Sequence, residues 1–339
     1  TNFTTSGLTI KSPSSAGSLF GCAASANLSA DGTYLAKKGT ELTNMTMRLV
    51  NCGFSKLNIT ADRDAGGFFG YLVTKPGSNS GVWNTEETTY GGNSKIVSTI
   101  GSNAVGAGGF VGHAKNCFWI NEPTWGEHAS AVVSGLVVNN GSSADNAGTG
   151  GLIGLFENAN SCRINAVTFS SSVSLTGDYR VGGLIGGNYD SSGKAANIID
   201  SVRVDGVKLS ANKAYLGGFV GCISKSGPLR VSNSTVAGVV FDARNGGAVV
   251  GYSATSGVET SITNCRFENN SINGALSGSL VGYLSGNLFG TNVLIRSNTF
   301  GTNAKGLLVG FAIANSNNPT VRIAGLDYQL GKDQVDTGL

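Results

Sequence analysis

One five-residue pattern, Gly-x-apolar-apolar-Gly, recurs along the whole chain and constrains the fold more than any other feature. Its nine copies end at Gly21, Gly70, Gly112, Gly154, Gly186, Gly221, Gly251, Gly282 and Gly310. The spacing falls from 49 residues between the first two of these glycines to 28 residues between the last two. A unit of this length cannot bury an apolar face alone, so the repeat predicts coils that stack on one another.

The segments between the motifs alternate apolar and small polar residues with a β-branched bias, as in Val202-Arg203-Val204. Such alternation is typical of strands, and no stretch shows apolar residues at helical spacing. We therefore expect an all-β chain, a right-handed parallel β-solenoid forming one domain over residues 1–339. At each corner the glycines would supply positive φ or close backbone approach. The apolar pair would point to opposite faces of the strand, so that one member needs cover from elsewhere.

Two long segments, 74–98 and 114–127, interrupt the repeat and read as loop insertions. They hold all three tryptophans, Trp83, Trp119 and Trp125. Aromatic side chains on loops can bind a ligand or partner, and they can equally close over a widened coil as local core. Residues 320–339 are a candidate C-terminal cap.

The copies Gly108-Gly109-Phe110-Val111-Gly112 and Gly150-Gly151-Leu152-Ile153-Gly154 resemble the GLUG motif, a short repeat found in arrays on microbial surface and secreted proteins. The resemblance covers residues 17–310. It implies a β-solenoid stalk or adhesive region outside the cell, in which the repeats serve as scaffolding. The zinc motif of some surface proteases with such repeats is missing, because His113 and His128 are the only histidines and neither belongs to H-E-x-x-H.

Composition agrees with a secreted chain. Charged residues make up only 13% of it, and its net charge is +3. The lysines and arginines are spread along the sequence and form no cluster that would bind nucleic acid. No apolar run is long enough for a membrane-spanning helix. The start at Thr1 suits a mature form whose signal peptide has been removed, and a trimmed chain would look the same.

The six cysteines lie far apart with no C-x-x-C pair, which argues against zinc-ribbon and thioredoxin sites. They are Cys22, Cys52, Cys117, Cys162, Cys222 and Cys265. Disulfide bonding, within or between chains, and plain burial as small apolar residues both remain open.

No motif for catalysis, a cofactor or a metal ion is assembled in the sequence. The Gly-rich stretches 106–109 and 148–151 lack the following helix of a dinucleotide site. Asp62 and Asp64 are the one candidate carboxylate pair for glycoside cleavage, since alternate residues of a strand share a face. A solvated turn before Gly66 would explain the same two residues.

These observations favour a structural protein of the surface-layer, filament or stalk type that packs against copies of itself or against cell-envelope components. The first alternative is an adhesin that grips a glycan or host protein through the tryptophan loops. The second alternative is a polysaccharide-cleaving β-helix enzyme. We expect no enzymatic activity and no cofactor.

Overall fold

The computed structural model describes residues 3–24, 46–74, 81–85, 89–99, 105–121, 131–158, 161–189, 196–225, 227–254, 258–304, 306–313 and 319–330. Within these residues the backbone forms strands, bends and turns, and no helix.

Thirty-seven strands follow one another along the described ranges. Those up to residue 98 are β1 (Thr4–Ser6), β2 (Thr9–Ser12), β3 (Phe20–Ala24), β4 (Thr46–Val50), β5 (Gly53–Ser55), β6 (Asn58–Ala61), β7 (Ala65–Gly66), β8 (Phe69–Val73), β9 (Gly81–Thr85) and β10 (Thr89–Ser98). Those from residue 106 to residue 205 are β11 (Gly106–Gly108), β12 (Val111–Lys115), β13 (Phe118–Asn121), β14 (Ala131–Asn140), β15 (Gly148–Gly150), β16 (Ile153–Glu157), β17 (Ser161–Asn165), β18 (Val167–Phe169), β19 (Ser174–Gly177), β20 (Arg180–Gly182), β21 (Ile185–Tyr189), β22 (Asn197–Asp200) and β23 (Arg203–Asp205). The remainder are β24 (Lys208–Ala211), β25 (Tyr215–Gly217), β26 (Val220–Ser224), β27 (Leu229–Ser232), β28 (Thr235–Ala237), β29 (Val240–Phe241), β30 (Asn245–Gly247), β31 (Val250–Ser253), β32 (Glu259–Glu268), β33 (Ser271–Ile272), β34 (Val281–Leu284), β35 (Asn287–Phe300), β36 (Val309–Ala312) and β37 (Val321–Leu330).

The strands belong to three parallel sheets that the chain visits in turn. A nine-stranded sheet runs in the order β3-β8-β12-β16-β21-β26-β31-β34-β36, and a six-stranded sheet in the order β30-β25-β20-β15-β11-β7. The other 22 strands form the large sheet. Each strand pairs in parallel with the equivalent strand one coil later, as β16 does with β21. The prediction of an all-β chain with coils stacked in parallel is therefore confirmed.

The nine glycine-fenced segments lie in one register along the nine-stranded sheet. The second apolar residue of each motif pairs with its counterpart in the next coil, from Phe20 opposite Phe69 to Val281 opposite Val309. Every intermediate pair keeps this alignment. The motif therefore marks one corner of each coil.

The motif glycines are required by close backbone packing and not by their φ angles. A Cβ on Gly66 would lie 2.0 Å from the carbonyl oxygen of Phe69, and a Cβ on Gly154 would lie 2.4 Å from the Ala107 nitrogen. Real Cβ atoms essentially never come within 3.0 Å of such an atom. None of the motif glycines has positive φ among the described residues. Of the two reasons expected for these glycines, close backbone approach applies to the motif and positive φ does not. The motif corner brings two backbones together without a residue in the left-handed region.

Left-handed backbone occurs instead at corners of the large sheet, which lie between two strands at Asn51 and Asn233 and within β32 and β35 at Asn264 and Asn292. Asn51, Asn233, Asn264 and Asn292 have φ between 48° and 54°. Asparagine tolerates this region better than other residues with a Cβ. The Asn292 side-chain nitrogen donates to Asn264 Oδ1 at 2.9 Å, and the Asn264 nitrogen donates to Asn233 Oδ1 at 3.3 Å. The corners are thus joined from coil to coil by side-chain amides.

Both members of the apolar pair are buried in the inner coils. Phe68 and Phe69 are each 0% exposed, as are Phe110 and Val111, and all four belong to the continuous hydrophobic core. Phe68 lies in the bend after β7 and meets Phe54 of the large sheet edge-on at 5.2 Å, whereas Phe69 begins β8. The expectation that one member of the pair would need to be covered from outside was wrong in these coils. The two residues lie on either side of a corner, so their side chains do not point to opposite faces of a single strand.

The two predicted loop insertions contain strands. Segment 74–98 includes β9 and β10, and segment 114–127 includes β13. All three strands pair with neighbours in the large sheet. The predicted cap over 320–339 begins with β37, which extends the large sheet beside β35, and residues 331–339 lie outside the described residues.

Candidate ligand groove beside the nine-stranded sheet

A row of side chains faces away from the core along the nine-stranded sheet. It is formed by the residue that follows the last glycine of each motif, and we call it the outer row: Cys22, Tyr71, His113, Leu155, Gly187, Cys222, Tyr252, Tyr283 and Phe311. The first residues of the six-stranded sheet's strands lie beside it in register, among them Arg180 and Tyr215. We call this strip of residues along one edge of the solenoid the groove.

Four charged side chains from successive coils meet at one place in the groove. Nδ1 of His113 lies 3.5 Å from Asp64 Oδ1, and its Nε2 lies 3.2 Å from Glu157 Oε2. Lys115 Nζ contacts the other Glu157 oxygen at 2.8 Å. The ring of Tyr71 packs on the imidazole with centroids 4.9 Å apart. We call Asp64, His113, Lys115 and Glu157 the charged cluster.

Within the charged cluster, the pKa values of His113 and Glu157 are shifted so that both groups are held ionised. Burial alone would lower the pKa of His113, but its hydrogen bonds to Asp64 and Glu157 outweigh that effect and raise the pKa to about 9. Burial would raise the pKa of Glu157, but His113 and Lys115 lower it to about 2. Burial and the two negative charges of Asp64 and Glu157 raise the pKa of Tyr71. At neutral pH His113 and Glu157 therefore face each other with opposite charges.

This arrangement joins side chains from three coils and limits proton transfer by His113. Both imidazole nitrogens of His113 face carboxylates, so a protonated ring has no free nitrogen to accept a proton. Asp64 is 2% exposed and His113 is 7% exposed, which leaves a substrate little access. In the part of the chain that the structure describes, no three His, Cys, Asp or Glu side chains are placed to hold a metal ion.

A depression of about 330 Å³ opens in the groove next to the charged cluster. Its lining residues are Asn146, Leu155, Glu157, Arg180, Tyr189 and Ser224. Gly187 of the outer row lies beside two of these residues, since a Cβ there would meet Arg180 Cδ at 2.9 Å and Leu155 Cδ1 at 3.2 Å. The absence of a side chain at Gly187 therefore makes room for the side chains of Arg180 and Leu155. Arg180 is fixed by its Nε, which donates to the Asp145 carbonyl oxygen at 2.8 Å.

The C-terminal half of the groove is filled by stacked aromatic rings. The ring centroids of Tyr215 and Tyr252 are 4.4 Å apart, those of Tyr252 and Tyr283 are 4.5 Å apart, and Phe311 lies 5.5 Å beyond Tyr283. Because the inner rings cover one another's faces, they stabilise the coils and leave only ring edges for a ligand.

Of the three tryptophans predicted as ligand-binding residues, Trp119 is the one whose side chain lies within the described structure. Trp119 is 0% exposed and meets Phe110 edge-on at 5.8 Å, so it is part of the core. The backbone of Trp83 pairs with Ile120 inside the large sheet. Trp125 lies outside the described residues.

The candidate carboxylate pair is separated. Asp62 is exposed and accepts a hydrogen bond from Thr99 Oγ1 at 3.0 Å. Asp64 is buried and accepts one from the Gly106 nitrogen at 2.9 Å. The two residues lie in a bend after β6 and not on a strand, so they do not share a face. The solvated-turn interpretation fits Asp62, but Asp64 is a buried part of the charged cluster.

All six cysteines carry free thiols, and all except Cys22 are buried. Cys22 and Cys222 both belong to the outer row but are five strands apart, about 24 Å at the usual strand spacing. That distance rules out a bond between them within one chain. Burial raises the pKa of Cys117 to about 12 and that of Cys265 to about 11. The thiols of Cys117 and Cys265 therefore act as small core groups.

Sequence reasoning missed the groove. The sequence offered one signal for it, the residue that follows each motif. That residue is often a large aromatic or histidine, as at Tyr71, His113, Tyr252, Tyr283 and Phe311. The role of Asp64 had no sequence signal, because its partner His113 is 49 residues away and meets it only through stacking.

Within the described ranges, no helix has the length and apolar character needed to cross a membrane. Comparison of the chain with models of protein families, with curated proteins and with solved structures finds no match.

Proposed function

We propose that this chain is an extracellular structural repeat protein, a building block of a surface layer, filament or stalk that associates with further copies of itself. Its coils would wind as a right-handed solenoid, the hand of nearly all parallel crossovers. The likeness of its nine motifs to the GLUG repeat supports a place outside the cell. The observation that carries the proposal is that, in the described structure, the first and last coils have unpaired sheet edges with exposed apolar side chains.

The first coil presents an open sheet edge with apolar side chains. Strand β3 pairs with β8 on one side only in the described structure. Phe20 of β3 is 46% exposed, whereas Phe69, its counterpart one coil later, is 0% exposed. Phe3 and Leu8 of the same coil are 36% and 40% exposed.

The last coil presents the opposite edge of the same sheets. Strand β36 pairs with β34 and β37 pairs with β35, each on one side in the described structure. Phe311, Val321 and Leu326 are exposed there. An unpaired strand edge is a template for another strand. Head-to-tail contact between copies would continue the repeat, and such contact builds open filaments.

Mutation of the two end coils tests this proposal. The variants Phe20→Asp and Phe311→Asp each put a charge where the proposed contact removes water. Because burial of a Phe side chain is worth about 1.5–3 kcal/mol, each should raise the concentration needed for assembly by at least about tenfold. Light scattering and negative-stain electron microscopy over a concentration series give the readout.

The matched control is Val240→Asp. Val240 is 50% exposed but lies in β29, in the middle of the stack. This variant should assemble like the unchanged protein. A protein that stays monomeric at high concentration, or three variants that behave alike, would overturn the head-to-tail proposal.

The two alternative functions have weaker support. An adhesin that uses Trp119 would need the core to open, and an enzyme that uses Asp62 with Asp64 would need side chains that the bend separates. A glycan-binding role fits the groove better than the tryptophan segments.

A further inference from the structure

We propose that the depression beside Arg180 binds one acidic saccharide unit, with Arg180 contacting the sugar carboxylate. This site lies on the side of the solenoid, on coils away from both ends, so it does not depend on self-association. Its contacts come from β16, β20, β21 and β26 and from the turn before β15.

The size and rigidity of the depression suit a small ligand. Its volume of about 330 Å³ lies at the lower end of the range for small-molecule sites. The walls are side chains on adjacent hydrogen-bonded strands, since Glu157 pairs with Tyr189 and Tyr189 pairs with Ser224. Leu155 is 4% exposed and forms an apolar floor. The site is therefore formed before any ligand arrives.

The charge of the site favours an anion. Among the described lining residues Glu157 is the one carboxylate, and it is paired with His113 and Lys115. Arg180 donates through Nε to the backbone oxygen of Asp145, and it forms no ion pair with a carboxylate among the described residues. The Arg180 guanidinium thus has an open pair of donors whose spacing matches a carboxylate.

The remaining lining residues favour a sugar ring over a bare anion. Tyr189 is half-buried and offers an aromatic surface next to Leu155, which suits the apolar face of a pyranose. Asn146 and Ser224 place an amide and a hydroxyl on the rim, where ring hydroxyls can exchange hydrogen bonds. The site thus combines one charged group, the Arg180 guanidinium, with the neutral polar groups of Asn146 and Ser224. This combination matches a ligand that has one negative charge and several hydroxyl groups.

Two probes that differ at one carbon test the site: methyl β-D-glucuronide, which has a carboxylate, and methyl β-D-glucoside, which has a hydroxymethyl group there. We expect the protein to bind the glucuronide at least about tenfold more tightly, because hydrogen bonds to charged groups are the strong ones. Ligand-observed NMR titration measures both dissociation constants. Inorganic phosphate is included as a third probe.

Two variants test whether Arg180 causes the preference for the glucuronide over the glucoside. Arg180→Gln should abolish the difference between the two sugars. Asn146→Asp, at an exposed position, should weaken glucuronide binding at least about threefold by charge repulsion and leave the glucoside unchanged. Arg203→Gln is the control, since Arg203 is exposed and paired with Asp205 on the large sheet. Circular dichroism checks that each variant is folded.

Equal binding of the two sugars, or binding of neither, would overturn the acidic-saccharide assignment, and so would tighter binding of phosphate than of the glucuronide. Loss of the preference in Arg203→Gln would move the site elsewhere and overturn it as well. A protein that fails to form filaments but still prefers the glucuronide would contradict the proposed assembly and leave this site standing.

Discussion

At the scale of single residues, glycine and asparagine have different tasks in this solenoid. Glycine stands where two backbones touch, as at Gly154 against Ala107, and its lack of a Cβ is what the contact requires. Asparagine stands where the chain turns through left-handed conformations, as at Asn233 and Asn264. The distinction is visible only in three dimensions, because both residue types favour turns in a sequence.

Substitution of a motif glycine should be costly for this reason. Gly154→Ala places a Cβ 2.4 Å from a backbone nitrogen in the next sheet, and the backbone must move to admit it. We expect a loss of about 3 kcal/mol in the free energy of unfolding, the upper range for overpacking. Urea denaturation followed by circular dichroism measures the loss.

Gly141→Ala is the matched control, since Gly141 is exposed and the nearest atom to its added methyl group would be the Ser98 oxygen at 3.2 Å. Its loss should stay below about 1 kcal/mol. Equal losses in the two variants would show that close packing at the motif corner is not the reason for Gly154.

At the scale of the elements, contacts between equivalent strands hold the coils together. In the nine-stranded sheet these contacts change in kind along the outer row, from the charged cluster through the depression to the aromatic stack that ends at Phe311. The charged cluster joins β12 and β16 to the bend before β7 through His113. Its strength should depend on pH because its charges do.

The stability of the charged cluster should be greatest between about pH 4.5 and pH 6.5. His113 has a folded pKa of about 9 against an ordinary value of 6.5, so its contribution is complete below 6.5 and is lost as the pH rises through 9. Glu157 has a folded pKa of about 2 against 4.5, so its contribution is complete above 4.5 and is lost as the pH falls toward 2.

His113→Gln tests the alkaline side of this window. The unchanged protein should lose on the order of 2 kcal/mol between about pH 6 and about pH 9.5, and the variant, which has no charge to lose, should lose much less. Urea midpoints at the two pH values provide the measurement. The same alkaline loss in both proteins would mean that another group titrates.

At the scale of the whole molecule, stability comes from stacking along one core and not from covalent bonds. The buried residues from Ala16 to Ile295 form one hydrophobic cluster. The cysteines within this cluster carry free thiols. A repeat array of this kind distributes its stability over neighbouring coils.

The thiols provide a test at this scale. A thiol reagent should modify one cysteine in the native protein, Cys22, and all six after denaturation, because the other five are buried. The urea midpoint should not change when a reductant is added. Fewer than six reactive thiols in the denatured, unreduced protein would reveal a disulfide bond and contradict this account.

The sequence by itself determined the repeat, the all-β class and the register, since nine copies of one motif can bury their apolar residues only by stacking. It also identified residues such as Asp64 and Trp119 as notable. Only the tertiary structure decided what they do, because coils bring together residues about 30–50 positions apart and because burial depends on which face each corner turns inward. Asp64 thereby meets His113, Trp119 enters the core, and Arg180 comes to line a depression together with Leu155 and Glu157.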